Sequence, residues 1–496
     1  MNRQAAVRLL LLASIVTLVS CTTTSKAKQQ AKPQEAPKVL SQWPPKAVVT
    51  NFKPVVTRAE TVLITNATLL TAIGEPVKNG SILLKDGKIA KVSAGKIDAP
   101  KGARVIDGKG RYVTPGIIDI HSHLGVYASP GVWAHADGNE MTSPTTPQVA
   151  AVHSVWPQDP GFERALAGGV TALHILPGSA NLIGGRTVSL QLHRGVSSHA
   201  MRFPGAPDGL KMACGENPKR VYGRKGRMPS TRMGNMAVFR STFAKAARAK
   251  VMYEKYIKSL QKWAKDSGDE AKKPKPPKRD LAMETLVGVL RNEILVHVHC
   301  YRADEMIQLM ELAKSNGFKI RAFHHAVEAY KIKDVLAQNN IAVATWADWW
   351  GFKIEAHDAV VQNAAMISQA KGGRAIIHSD SPLDVQRLNQ EAAKAYFAAK
   401  HKGMPVTEDE ALRWITLNPA WAMGVDKVTG SLEPGKRADV VLWSAHPFSV
   451  YAKAQMVWVE GVREYDASQK AKKPWSDFEL GQQPKEIVEE PKQEVK

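Results

Sequence analysis

The feature that most constrains this chain is a recurring unit in its middle: a short apolar run closed by polar residues, then a helical pattern. The units begin with GIIDIHSHLG and GGVTALHILPG. They continue with EILVHVHC before RADEMIQLMELAKSNG, KIRAFHHAVE before KIKDVLAQNN, and RAIIHSDSP before a helix across 386–400. Parallel strands need long crossovers, usually helices, so this order predicts a parallel sheet. More than five such units over roughly 300 residues predict a closed barrel rather than an open sheet.

The flanks have a different texture. TVLITNATLL and GSILLKDGKIAKVSAG, with Asp86-Gly87 as a hairpin turn, precede the barrel, and GSLEPGKRADVVLWSAHP and QMVWVEGVREYD follow it. The predicted fold class is therefore α/β: a (β/α)8 TIM-like barrel over 114–420, with a small β-sandwich domain built from both chain ends, 59–113 and 421–466. Within the barrel, 243–280 is Lys-rich and ends in KKPKPPKRD, which reads as an exposed basic insertion. Residues 467–496 read as a mobile tail.

At the N-terminus, Arg3 and Arg8 stand before an apolar run from Leu9 to Val19, too short to span a bilayer but suited to an export signal. Leu18-Val19-Ser20-Cys21 resembles a bacterial lipobox. The reading is a lipoprotein signal over 1–21, a lipid on Cys21, a flexible linker over 22–58, and a location at the cell envelope facing the periplasm.

The formal charge of +22 raises the question of nucleic acid. Residues 1–58 carry nine Lys/Arg against one acid, and 241–280 carry twelve against five, so the excess sits in the tether and the insertion. No nucleic-acid partner is expected. With three cysteines no disulfide framework is expected, and Cys214 and Cys300 read as small buried residues.

Phosphate loops, nucleophile elbows and HExxH helices are absent from the sequence, and what remains is histidine. His121 and His123, at i and i+2 on a strand end, point the same way. At the C-terminal mouth of a barrel that direction is the site, and two convergent imidazoles there make a metal-ligand pattern, with Asp119 as a nearby orienter. The same residue types recur at later strand ends: His297 and His299, His324 and His325, and Asp380. His174 reads as a core or pocket-lining residue. His135 and His153 show no ligand spacing, and Trp346, Trp349 and Trp350 read equally as a cleft wall or as packing.

This ordered set resembles the metal-dependent amidohydrolase superfamily, in its imidazolonepropionase-like and Xaa-Pro-dipeptidase-like branch. The matching stretches include GIIDIHSHLG, GLKMACGENPKRVYG, EILVHVHCYRADEM, HHAVEAYK, HSDSP and ITLNPAWAMGVDKVTGSLEPGKRADVVLW, within about 60–465. The resemblance implies metal ligands at His121, His123, His297, His325 and Asp380, with His297 preferred over His299. His325 is alternatively a ligand of a second metal or a contact to the substrate carbonyl. The family commonly bridges two metals with a carboxylated Lys or a Glu. No strand-end lysine stands out, so Glu216 is the expected bridge.

The implied cofactor is a divalent metal, zinc, as one or two ions. Asp380 is the expected general acid–base, and His325 or His299 the oxyanion stabiliser. The expected reaction is hydrolysis of a C–N bond in a small peptide-like or cyclic amide; self-association is compatible with the sequence. The alternative is a noncatalytic envelope binding protein on a degenerate barrel.

Overall fold

In the computed structural model of the chain, the described residues are 41–44, 59–193, 195, 197–266, 268–349 and 351–469. The export signal, Cys21, most of the linker and all but the first residues of the tail lie outside them.

The N-terminal flank contributes β1 (Val62–Leu69), β2 (Val77–Lys85), β3 (Lys88–Ser93), β4 (Arg104–Asp107) and β5 (Tyr112–Pro115). The next eight strands are β6 (Ile117–Ser122), β7 (Val170–Ile175), β8 (Ile183–Gln191), β9 (Gly209–Ala213), β10 (Leu295–Cys300), β11 (Ile320–His325), β12 (Ala342–Thr345) and β13 (Arg374–Ile377). The C-terminal flank adds β14 (Val440–Trp443), β15 (Ala454–Val459) and β16 (Val462–Asp466).

Both flanks join one sheet, in the order β16-β15-β14-β5-β1-β2-β3, with β4 paired to β1. The chain ends meet where β5 runs antiparallel to β14. Alternating apolar residues such as Val62, Ile64, Ile82, Leu84, Val440 and Leu442 give this sheet its own buried cluster. Residue 421, taken from sequence as the second boundary, falls inside the helix Leu417–Met423, which packs on β6, and the strands resume only at Val440.

The second sheet runs in chain order from β6 to β13. It differs from an all-parallel barrel at β8, which is antiparallel to both neighbours. The reason is local: LPGSANL is a seven-residue link from β7 to β8 with no helix in it, and a link that short returns the chain antiparallel. The ends of the sheet approach through Asp380 N–H donating to His121 O (3.0 Å) and Ser379 N–H donating to the Asp119 carboxylate (3.2 Å).

Two expectations are corrected. The Lys-rich segment is not an extruded insertion throughout: it lies mainly in a 35-residue helix, Arg232–Asp266, that buries Phe243, Ala246, Tyr253, Ile257 and Leu260 along one side. Its buried residues recur at three and four positions, the stripe a half-buried helix requires. The second concerns Cys214 and Cys300, which form a disulfide (S–S 2.08 Å). β9 and β10 pair in parallel with Ala213 opposite His299, so the next residue of each strand brings the two sulfurs together, 86 residues apart in sequence.

Candidate active site

The site is assembled where the barrel strands end. His121 is the penultimate residue of β6 and is wholly buried, and Asp380 lies just past β13. Asp380 Oδ1 is 3.2 Å from His123 Nε2 and 3.6 Å from His121 Nε2, and its Oδ2 is 4.0 Å from His325 Nδ1. His378 stacks on His121 with centroids 5.1 Å apart. Two triplets have donor atoms all within 4.8 Å of one another: His121, His123 and Asp380, and His121, His325 and His378.

Backbone strain helps build this convergence. His325 (φ 68°) and Asp380 (φ 53°) occupy the left-handed region, uncommon for residues with a Cβ. The left-handed turn at His325 interrupts strand alternation, so two consecutive histidines both reach His121. His324 Nδ1 lies 3.0 Å from His121 Nδ1, and the His325 ring lies 4.6 Å from the His121 ring. Trp346 stacks on the other histidine of the pair, its centroid 4.5 Å from that of His325. Trp346 is thus part of the site's support; Trp349 is partly buried beside it, and Trp350 lies outside the described residues.

The donor chemistry fits a divalent cation. Burial, helped by the Lys211 charge, holds His121 far below the usual imidazole range; burial also lowers His325 and His299 and pushes His378 down to about 3. These rings are therefore neutral and carry lone pairs. His121 Nε2, His325 Nδ1 and both nitrogens of His378 are buried without a hydrogen-bond partner, a costly state that coordination would relieve. His123 gives a further sign. Its Nδ1 is 2.8 Å from Leu176 O, which can only accept, and its Nε2 is the nitrogen turned to Asp380 Oδ1 at 3.2 Å. The two atoms are placed to share a cation. Burial works to raise Asp380, but the hydrogen bond and charge of His123, with His378 and Lys211, hold it below the usual carboxylate range.

The other expected residues divide. His299 lines a cavity of about 340 Å³ together with His123, Glu216, Arg220, Lys353 and Asp380. Ser179 Oγ is 2.8 Å from its Nδ1. His297, preferred from sequence, lies one layer deeper, where its Nδ1 meets His324 Nε2 at 3.0 Å, and it belongs to neither triplet. Glu216 likewise joins neither triplet: it opens the helix Glu216–Gly223, its N–H donates to Glu355 (2.7 Å), and its carboxylate lies 3.9 Å from Lys353 Nζ. Asp119 joins neither triplet; it accepts from Ser379 Oγ and from the His121 N–H. His174 is a buried ring bonded to Ser189.

Sequence reasoning passed over two residues. His378 is two positions before Asp380, in the same i, i+2 relation as His121 and His123, and that spacing was the available signal. Lys211 was hidden in GLKMACG. It is fully buried on β9, beside His297 in the β-ladder, and donates to Pro177 O (3.0 Å). Burial lowers its pKa to about 7 against the opposing pull of Asp380. A lysine inside an otherwise apolar strand was the signal, which a search confined to isolated strand-end lysines passes over.

Residues 389–465 match the family model described as "Amidohydrolase family". The chain is 32% identical over 439 residues to "Amidohydrolase tasK" of Hapsidospora irregularis, covering 83% of this chain and 43% of that protein. It therefore spans less than half the length of that relative. It is 23% identical over 409 residues to a 5'-deoxyadenosine deaminase of Methanothermobacter thermautotrophicus, covering 77% of this chain and 84% of the other. The solved structure of an amidohydrolase from Thermotoga maritima MSB8 superposes with a TM-score of 0.71 at 35% identity, over 82% of this chain and 100% of that one. With that identity extending over the entire Thermotoga chain, and with the barrel and its imidazole-lined mouth in place, this chain belongs to the amidohydrolase family.

Proposed function

We propose that the protein is a metal-dependent amidohydrolase of the cell envelope, tethered through Cys21, that hydrolyses a C–N bond in a small amide. The observation that carries the reading is the pair of triplets sharing His121, with unpartnered imidazole nitrogens directed at common points. His121, His123, His325, His378 and Asp380 would hold the metal, and a nitrogen-rich donor set with one carboxylate suits zinc. When bound, such an ion lowers the pKa of a water and polarises a carbonyl.

The protein's own groups supply the rest. Asp380, ionised and beside His123, accepts the proton of the attacking water and returns it to the departing nitrogen. His299 is neutral and its Nδ1 shares a hydrogen bond with Ser179 Oγ (2.8 Å); in the tautomer with its proton on Nε2 it can offer that proton to a carbonyl oxygen gaining charge. His324 holds the ring of His121: the Nδ1–H of His121 donates to His324, whose Nε2–H donates to His297, and this tautomer leaves His121 Nε2 free for the metal.

Arg220 lines the cavity and makes no ion pair among the described residues, and Lys353 lies in the same wall. This supports amides that carry a carboxylate, such as dipeptides and N-acyl amino acids, over neutral lactams. Export is supported by the lipobox-like sequence and by the Cys214–Cys300 disulfide, a bond at home in oxidising compartments. The test is a screen of zinc- and manganese-loaded protein against prolyl dipeptides, N-acyl amino acids and lactams, read by product formation. Absence of every product from metal-loaded protein would reject the reading in favour of a binding protein.

A further inference from the structure

The helix Arg232–Asp266 packs one side on the molecule, and its other side carries an unusual distribution of charge. Arg248, Lys255, Lys258, Lys262 and Lys265 are all exposed and recur at three, four and seven positions, so they share one stripe. At the helical rise this stripe is about 26 Å long. None of the five makes an ion pair among the described residues. Val251 and Met252 open into the same stripe, 51% and 46% exposed. Acids, which neutralise an ordinary solvated helix at alternate turns, are confined to Glu254 at its margin and Asp266 at its end. Cations around exposed aliphatic side chains suit a surface that is anionic outside and apolar just beneath.

A second, independent observation concerns the other end of the chain. Trp43 rests edge-on against Tyr256 of this helix, with centroids 5.2 Å apart. Arg279 lies over the Trp43 ring, and Arg291 donates to the Trp43 carbonyl (3.2 Å). The N-terminal segment is thus moored on the flank of the cationic stripe. Trp43 stands only 22 positions after Cys21.

We propose that the exposed face of this helix docks on anionic phospholipid headgroups, holding the barrel against the membrane. A lipid chain and a cationic patch are each weak alone and stable together. The tether rests on the envelope reading above, whereas the face stands on its own charges and exposure.

The test compares three full-length proteins: wild type, K255E/K258E/K262E, and a control with the same charge change elsewhere, K78E/K91E/K101E, on exposed lysines of the N-terminal flank. Flotation is measured with vesicles of phosphatidylcholine alone and with vesicles one third phosphatidylglycerol. Wild type and control should bind the anionic vesicles at least tenfold more tightly than the helix variant, with the difference lost on phosphatidylcholine and in high salt. Thermal melting should be alike for all three, because the altered side chains are exposed. Equal binding by the helix variant and the control would overturn the proposal, as would tighter binding of wild type to duplex RNA than to the anionic vesicles. The intact mass at Cys21, and binding to phosphatidylcholine common to all three proteins, report the anchor separately.

Discussion

Ser379, just beyond the last barrel strand, donates its hydroxyl to the carboxylate of Asp119 in the first, at 2.5 Å and across 260 residues. The same carboxylate accepts from the His121 backbone (3.1 Å). One buried group therefore fixes both sides of the seam where the barrel ends meet, and it sets Asp380 within reach of His121 and His123. Asp380, His121 and His123 are neighbours because of this clasp.

Asp380 is placed to move the proton of the attacking water. Asp380→Asn should retain most of its metal by elemental analysis while turnover falls by about 10³-fold, the scale of a lost general base. Near-wild-type kcat with any hydrolysed substrate would remove Asp380 from that role.

The two histidines on which sequence and structure differ make a direct comparison. His378→Gln should lower zinc affinity roughly 10–100-fold by competition with a chelator. His297→Gln should leave that affinity closer to wild type, because His297 reaches the site only through His324. The reverse order would restore His297 as the ligand.

Lys211 is poised to be partly uncharged at neutral pH, and an amine in that state can react with carbon dioxide. Reloading of the chelated wild-type protein with zinc should be faster with bicarbonate, and Lys211→Met should abolish the dependence and lower kcat by more than about 100-fold. An equal bicarbonate response in the variant would show that Lys211 stays an amine.

The Cys214–Cys300 bond closes a loop of 86 residues beside the site. Replacing both cysteines with serine should lower stability by about 2–4 kcal/mol, measured by urea unfolding. The wild type should lose a similar amount in dithiothreitol, and the variant none.

His193 follows β8, and its Nδ1 meets Glu464 of β16 at 2.9 Å, joining barrel to flanking sheet. Burial alone would lower its pKa, but the hydrogen bonds of Glu460 and Glu464 and the charge of Glu464 raise it above 6.5. A raised imidazole stabilises the fold fully below its unfolded pKa, and the contribution fades as pH climbs through the higher folded value. Wild-type Tm should therefore fall relative to His193→Gln as pH rises from about 6.5, the His193 contribution being fully present only on the acidic side. Parallel Tm curves for the two proteins would contradict this coupling.

What the sequence determined by itself was periodic. Apolar runs of strand length followed by helical stretches specified the barrel, because burial of alternating faces is written into residue order. HxH at the end of GIIDI marked the mouth for the same reason. Tertiary structure alone decided whatever depended on which strands became neighbours and where the backbone left regular geometry. It reversed β8, joined Cys214 to Cys300, moved His297 below the triplets and brought His378 into one of them. It also turned His325 and Asp380 inward through left-handed dihedrals, and enclosed Lys211 where desolvation lowers its charge. These outcomes follow from distances between residues remote in sequence, and periodicity carries no record of such distances.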